Sequence, residues 1–100
     1  MSAGPAGPDA ELRLRAIVRG DVQGVGFRYF VLDRVRGSAL RGWVRNRGDA
    51  SVECVAEGPR ERLERLLEAL RTGPRSAEVT GVETDWQPAR GDLPPFRVIH

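Results

Sequence analysis

The chain has 100 residues, a length that accommodates one domain and leaves no room for a second core. It is 40% hydrophobic, with no apolar run long enough to span a membrane, so neither its length nor its composition is that of a membrane protein. All sixteen basic residues are arginines, yet the formal net charge is only +2, and this weak positive balance favours small anionic ligands over nucleic acid.

The N-terminal segment, residues 1–10, is rich in glycine, proline and alanine. It has neither the basic start nor the apolar centre of a signal peptide, so we expect a disordered tail followed by a domain over residues 11–100. The chain contains one cysteine, Cys54, which has no partner for an intrachain disulfide. Together these features predict a cytoplasmic protein.

The first half of the domain shows strand, turn and helix patterns in succession. In residues 12–19 every second position is apolar, and the positions between are arginine except for Ile17, which predicts a strand with one buried face. A glycine-rich turn over residues 20–26 follows, and apolar residues at helical spacing then predict a helix from Phe27 to about Val35. Residues 40–46 and 51–57 read as two strands joined by a short hairpin.

The second half begins with the clearest helix, for which Pro59 suits the first position. Its apolar stripe has the spacing i, i+3, i+4 and i+7 and comprises Leu63, Leu66, Leu67 and Leu70. Strands over residues 77–86 and 96–99 complete the order β-α-β-β-α-β-β. This order predicts a ferredoxin-like α/β sandwich: an antiparallel sheet with two helices on one face and a C-terminal edge strand.

Several kinds of chemistry lack suitable residues. The single histidine, His100, is the last residue of the sequence, and no cluster has the spacing of metal ligands, so we expect neither metal nor cofactor. Cys54 shares the apolar side of its strand with Val52 and Ala56, which favours a buried structural role over a nucleophilic one. No serine has a histidine to activate it.

The glycine-rich turn and Arg28 could together bind an anion. Three glycines in seven positions let backbone N–H groups turn inward at a helix N-terminus, although a tight turn alone also requires glycine. Arg28 lies in the first helical turn, where the helix dipole disfavours a cation. It either points into solvent or forms one side of a phosphate site with the backbone amides.

Asn46 lies at the end of a strand, just before the hairpin. An asparagine there commonly hydrogen-bonds the backbone of its own turn. Its carboxamide also offers one acceptor and two donors, which is what orienting a single water molecule requires. Trp43 has the opposite parity to Leu40 and Val44, and we expect it to cover the far face of the sheet.

Two segments resemble the signatures of the acylphosphatase family. They are residues 18–28 (VRGDVQGVGFR) and residues 42–46 (GWVRN) together with Asp49 and residues 52–53. The resemblance extends from about residue 12 to the C-terminus. It implies an enzyme that hydrolyses the carboxyl–phosphate bond of acyl phosphates without metal or cofactor, with Arg28 and Asn46 as catalytic residues. The phosphate-binding positions it implies, beside Arg28, are Asp21, Val22, Gln23, Gly24, Val25 and Gly26.

The resemblance further implies that Asn46 positions the hydrolytic water and that inorganic phosphate competes with substrate. We expect a monomer with no nucleic-acid or membrane partner. The chain departs from the family pattern at Ala50 and Ala39, where glycine is usual, and at Val35, where alanine is usual. The two alanines predict positive φ angles at residues poorly suited to them.

Two other functions are compatible with this order of elements. An RNA-recognition domain shares it, and residues 25–31 loosely resemble the aromatic motif of such domains, but that motif belongs on a strand and here lies in a predicted helix. The second possible function is that of a non-catalytic acylphosphatase-like domain, of the kind found within larger maturation proteins.

Overall fold

The structure is a computed structural model that describes residues 10–100. Its elements follow the predicted order and are β1 (Glu11–Asp21), α1 (Phe27–Val35), β2 (Arg41–Asn46), β3 (Val52–Pro59), α2 (Arg60–Thr72), β4 (Glu78–Pro88) and β5 (Arg97–Ile99). The predicted tail lies outside the described residues except for Ala10.

The five strands form one sheet in the order β4-β1-β3-β2-β5. β1 pairs with β3 and β4, and β2 with β3, all antiparallel, whereas β5 pairs with β2 in parallel. The ferredoxin-like fold is therefore confirmed, but the sheet is mixed at one edge rather than wholly antiparallel. Because β4 and β5 lie at opposite edges, the connection between them crosses the sheet. β5 then runs parallel to β2.

Specific contacts fix that crossing connection. The buried carboxylate of Glu57 accepts hydrogen bonds from the backbone N–H groups of Arg90 (2.8 Å) and Gly91 (3.0 Å). Nearer β5, Arg41 Nε donates to the carbonyl of Leu93 at 2.8 Å. These contacts hold the connection against β3 and β2 and set the position at which β5 begins.

Both helices cover the same face of the sheet, and the core lies between the two layers. The leucine stripe of α2 is buried as predicted, and α1 contributes three buried side chains, Phe27, Val31 and Val35. Cys54 is buried in this core, and burial, followed by the nearby Glu53 charge, raises the pKa of its thiol to about 12. Neither helix described here is long and apolar enough to cross a membrane.

Local geometry agrees with two sequence expectations and differs from a third. Ala39 and Ala50 adopt positive φ angles of 64° and 73°, as their departure from the family pattern predicted. Pro59, predicted as the first residue of α2, instead precedes the helix in an extended conformation and pairs with Glu11. It cannot take a helical ψ because the β1–β3 ladder continues to that point.

The three aromatic residues of the segment 25–31, Phe27, Tyr29 and Phe30, lie on α1, as the sequence predicted. Phe27 is only 2% exposed, and Phe30 is partly buried against the same core. Neither ring is presented on a strand, where a stacking platform for nucleic-acid bases would need them.

Candidate active site

The connection between β1 and α1 bends at two glycines. Gly24 and Gly26 have φ angles of 75° and 79°, a left-handed conformation that other residues rarely adopt. Gly26 immediately precedes α1, and no side chain caps the helix at that point. The glycines thus turn the chain sharply at the helix N-terminus without placing a side chain over it.

The backbone N–H groups around this turn are available to a ligand. No backbone carbonyl among residues 10–100 accepts a hydrogen bond from the amides of residues 23–29, and the first turn of α1 contains no acidic residue. A helix N-terminus with free N–H groups and a partial positive charge attracts anions. We name this segment, residues 22–29, the amide loop.

Side chains of the amide loop anchor it to the rest of the protein. Val22 is 1% exposed and packs in the core. The amide of Gln23 donates from Nε2 to the carbonyls of Arg47 (2.7 Å) and Ser51 (2.9 Å), across the β2–β3 hairpin. The hydroxyl of Ser76 donates to the Val25 carbonyl at 2.8 Å. The side chains of Val22 and Gln23 therefore have structural roles, which leaves the loop backbone to meet a ligand.

Asp21, the first of the six predicted phosphate-binding positions, differs from the other five. It is the last residue of β1, lies opposite Glu78 in the β1–β4 ladder, and is exposed. Its carboxylate would repel an anion, so any contribution from this position must come from the backbone.

Arg28 lies in the first turn of α1, as predicted, and is half-buried. Its Nη1 atom is 3.0 Å from Nδ1 of His100. Among the described residues no carboxylate lies within 4.0 Å of its guanidinium, whereas Arg13, Arg15 and Arg45 each form an ion pair. Arg28 thus stands beside the free amides, and no acidic side chain in the described part of the chain pairs with it.

Asn46 ends β2 and is half-buried on the same side of the strand as Val44. The turn that follows is held by other groups: the N–H of Arg47 donates to the Ser51 carbonyl at 2.9 Å, and Asp49 accepts hydrogen bonds from the Ser51 hydroxyl and N–H. The Ser51 hydroxyl, then the Ser51 N–H, lowers the pKa of Asp49 to about 2. Asp49 thus performs the turn-holding role that Asn46 could have taken.

Two independent connections bring these groups to one end of the sheet. Arg45 of β2 pairs with Ile99 of β5 in parallel, so Asn46 and His100 follow side by side on neighbouring strands, and His100 contacts Arg28. Gln23 separately ties the amide loop to the hairpin that follows Asn46.

His100 was given no role in the sequence analysis, yet it contacts Arg28 and directly follows the β5 residue that pairs with Arg45, the neighbour of Asn46. The signal that would have placed it there is the parallel register of β5 on β2. A three-residue edge strand does not reveal its partner from its own sequence, because the pairing is non-local.

Comparisons with known proteins identify the family of the chain. A model of the acylphosphatase family matches residues 14–98. An acylphosphatase of Nocardia farcinica (strain IFM 10152) is 53% identical over 85 residues, which are 85% of each chain, and one of Salinibacter ruber (strain DSM 13855 / M31) is 49% identical over 88% of this chain and 93% of that one. The chain belongs to the acylphosphatase family.

A solved structure extends the comparison to three dimensions. The crystal structure of acylphosphatase from Bacillus subtilis matches with a TM-score of 0.84 and 39% identity, covering 89% of this chain and 99% of that one. Family membership places the chain among enzymes that hydrolyse acyl phosphates. Arg28, Asn46 and the amide loop all fall inside the matched segment.

The groups gathered at this candidate site are backbone and guanidinium hydrogen-bond donors, the carboxamide of Asn46 and the imidazole of His100. Within residues 10–100, no three His, Cys, Asp or Glu side chains lie close enough together to hold a metal ion. A groove of about 370 Å³ lies at the other end of α1, lined in part by Arg34, Arg36 and Arg62, and shares no residue with the site. The arrangement at the amide loop can grip an oxyanion and orient a small polar molecule beside it.

Proposed function

We propose that this acylphosphatase hydrolyses its substrate by direct in-line attack of water on phosphorus, with the phosphoryl group held by Arg28 and the amide loop and the water oriented by Asn46. One observation supports the proposal: within residues 10–100, Arg28 has no acidic partner and stands beside a run of backbone amides that no carbonyl accepts from, at a helix N-terminus. Groups that need a hydrogen-bond acceptor are concentrated where the family signature lies.

The amide loop and Arg28 supply complementary contacts to a phosphate. A guanidinium presents its N–H groups in a planar fork that binds two oxygens of one phosphate. Backbone N–H groups at the loop approach the remaining oxygen from other directions, with the helix dipole adding partial positive charge. As the transition state loosens, negative charge on the equatorial oxygens is stabilised by donors that are already in place.

Asn46 supplies orientation rather than charge. Its carboxamide oxygen accepts one hydrogen bond from a water molecule, which fixes a lone pair of that water toward phosphorus. The water oxygen forms the new bond to phosphorus, and the bond to the acyl oxygen breaks with its electron pair leaving on the carboxylate. The proton of the water passes to a phosphate oxygen of the substrate.

The choice of substrate follows from the leaving group. A carboxylate is weakly basic and departs without an acid to protonate it, and neither Arg28 nor Asn46 nor the backbone of the amide loop is such an acid. Alkyl phosphate monoesters need that acid, so we expect slow turnover of them. We propose that inorganic phosphate, the product, competes for the same donors, and that the protein works as a cytoplasmic monomer without metal or cofactor.

Turnover of benzoyl phosphate, with and without excess chelator, tests the activity. We expect hydrolysis at an unchanged rate in chelator. A protein that binds phosphate but shows no turnover would support the non-catalytic domain instead.

The water-positioning role is tested by Asn46→Ala. We expect kcat to fall about 100-fold because the water loses its orientation, while the inhibition constant for phosphate stays within about 2-fold. Gln87→Ala is the matched control, since it removes a carboxamide from β4, away from the site, and should not change kcat. A large rise in the phosphate inhibition constant for Asn46→Ala would contradict the assignment.

A further inference from the structure

We propose that His100 is a positioning residue that holds the guanidinium of Arg28 in the orientation that receives the phosphoryl group. This inference rests on the proposed function. Its starting point is the 3.0 Å contact between Arg28 Nη1 and His100 Nδ1. Because an arginine can only donate, Nδ1 must accept, which requires a neutral imidazole that carries its proton on Nε2.

The contact matters because Arg28 has little else to hold it. No described carboxylate lies within 4.0 Å of its guanidinium, and a long arginine side chain loses conformational entropy when a ligand fixes it. One hydrogen bond at Nη1 restricts the side chain before phosphate arrives. It uses one of five N–H donors and leaves the others for phosphate oxygens. Preorganisation of this kind improves binding and also the transition-state contact.

His100 is itself held by the sheet. β5 pairs with β2 through Trp43–Arg97, Val44–Val98 and Arg45–Ile99, and Val98 packs against the core. His100 directly follows this strand, beside Asn46 on β2. The imidazole is thus placed by strand pairing, and it links the helix that carries Arg28 to the strand edge that carries Asn46.

Three substitutions at position 100 distinguish a hydrogen-bonding role toward Arg28 from a role in packing alone. His100→Ala should weaken phosphate binding and raise KM for benzoyl phosphate by about 5-fold, the effect of losing one exposed hydrogen bond of typical strength. His100→Asn should restore most of the loss, because its carboxamide can place an acceptor near the position of Nδ1. His100→Gln should not, because its longer side chain carries the carboxamide to the position of Nε2.

Calorimetric titration with inorganic phosphate and steady-state kinetics with benzoyl phosphate measure these effects. The melting temperature of all three variants should match the parent protein, since the contact is exposed. Wild-type phosphate binding by His100→Ala, or equal impairment of the Asn and Gln variants, would overturn the positioning role.

A double-mutant cycle separates this inference from the proposed function. In Arg28→Met the guanidinium is absent, so adding His100→Ala should cause no further loss of phosphate affinity. If the losses of phosphate affinity in the two single variants add fully in the double variant, the inference is overturned, because His100 would then act on the anion independently of Arg28. If Arg28→Met itself binds phosphate as the parent does, the proposed function fails. If Arg28→Met loses binding but His100→Ala in the parent does not, only the inference fails.

Discussion

The helix-free face of the sheet and the amide loop both carry arginines, but they satisfy them differently. On the helix-free face, Glu53 is only 4% exposed and accepts hydrogen bonds from Arg15 Nε (2.7 Å) and Arg45 Nε (2.9 Å). At the amide loop, Arg28 has no described carboxylate partner and the neighbouring amides have no carbonyl partner. On the helix-free face the charges are paired within the chain, whereas at the amide loop the donors have no acidic or carbonyl partner among the described residues.

This difference shows how to interpret an arginine-rich sequence. Burial alone would raise the pKa of Glu53, but hydrogen bonds and charge from Arg15 and Arg45 together lower it, which is the behaviour of a structural ion cluster. Arg45 lies within the second family signature, yet its side chain belongs to this cluster. An arginine whose donors remain free beside other free donors is the better candidate for binding.

The largest predicted effect follows from removing the planar fork at the amide loop. Arg28→Lys should lower kcat/KM for benzoyl phosphate by about 100-fold or more, because a point charge cannot replace two parallel hydrogen bonds to the transferring phosphoryl group. Arg45→Lys makes the same chemical change on the helix-free face. It should leave kcat/KM within about 2-fold of the parent. Equal losses of kcat/KM in Arg28→Lys and Arg45→Lys would contradict the distinction between the two regions.

The second prediction addresses stability on the helix-free face. Glu53→Gln should lower the free energy of unfolding in urea by about 2 kcal/mol, since an amide group would face two guanidinium donors in a buried position. Glu83→Gln is the matched control: it breaks the exposed pair with Arg19 and should leave the free energy of unfolding close to that of the parent, because solvent screens this pair. Benzoyl phosphate turnover should persist in both variants.

The pH dependence of this effect has a definite sign. The pKa of Glu53 is lowered in the folded state, so its contribution is present above the ordinary carboxyl pKa of 4.5 and is lost as the pH falls further toward the folded value. The stability difference between the parent and Glu53→Gln should therefore shrink below pH 4.5. A difference that grew with acid would contradict the assigned cluster.

The smallest predicted effect concerns the hairpin beside the site. Ala50→Gly should raise the free energy of unfolding by about 1 kcal/mol, because alanine at φ 73° is strained and glycine is not. Gly48→Ala is the control in the same turn: its φ is not positive and its Cβ would meet open space, so the change should be neutral or stabilise by about 0.5 kcal/mol. Destabilisation by Ala50→Gly in urea would contradict the strain argument.

The sequence predicted those parts of the fold that depend on local pattern. The leucine stripe of α2 and the alternation in β1 each fix a buried face through residues only two to four positions apart, and both are confirmed. The parallel pairing of β5 was not predicted, because it depends on where a long connection delivers three residues. Glu53 and Glu57 alternate with apolar residues as solvent-facing positions do. Their burial depends on long-range partners: arginines on neighbouring strands and, for Glu57, the backbone of the crossing connection.

The candidate site likewise has features that local sequence pattern predicted and features that depend on long-range contacts. Spacing identified the glycine turn and Arg28 at the start of a helix, and resemblance supplied the roles of Arg28 and Asn46. The contact of His100 with Arg28 and the two hydrogen bonds of Gln23 to the hairpin join segments far apart in sequence, so no local pattern contained them. These long-range contacts decide whether the predicted groups meet.

The most direct test of the account is a titration of ¹⁵N-labelled protein with inorganic phosphate, followed in two-dimensional NMR spectra. We predict saturable shifts concentrated in the backbone amides of residues 23–29 and in the Arg28 side-chain N–H, with the same dissociation constant at each. Shifts confined to another arginine-lined surface, such as the groove at Arg34 and Arg62, with the amide loop unmoved, would contradict it.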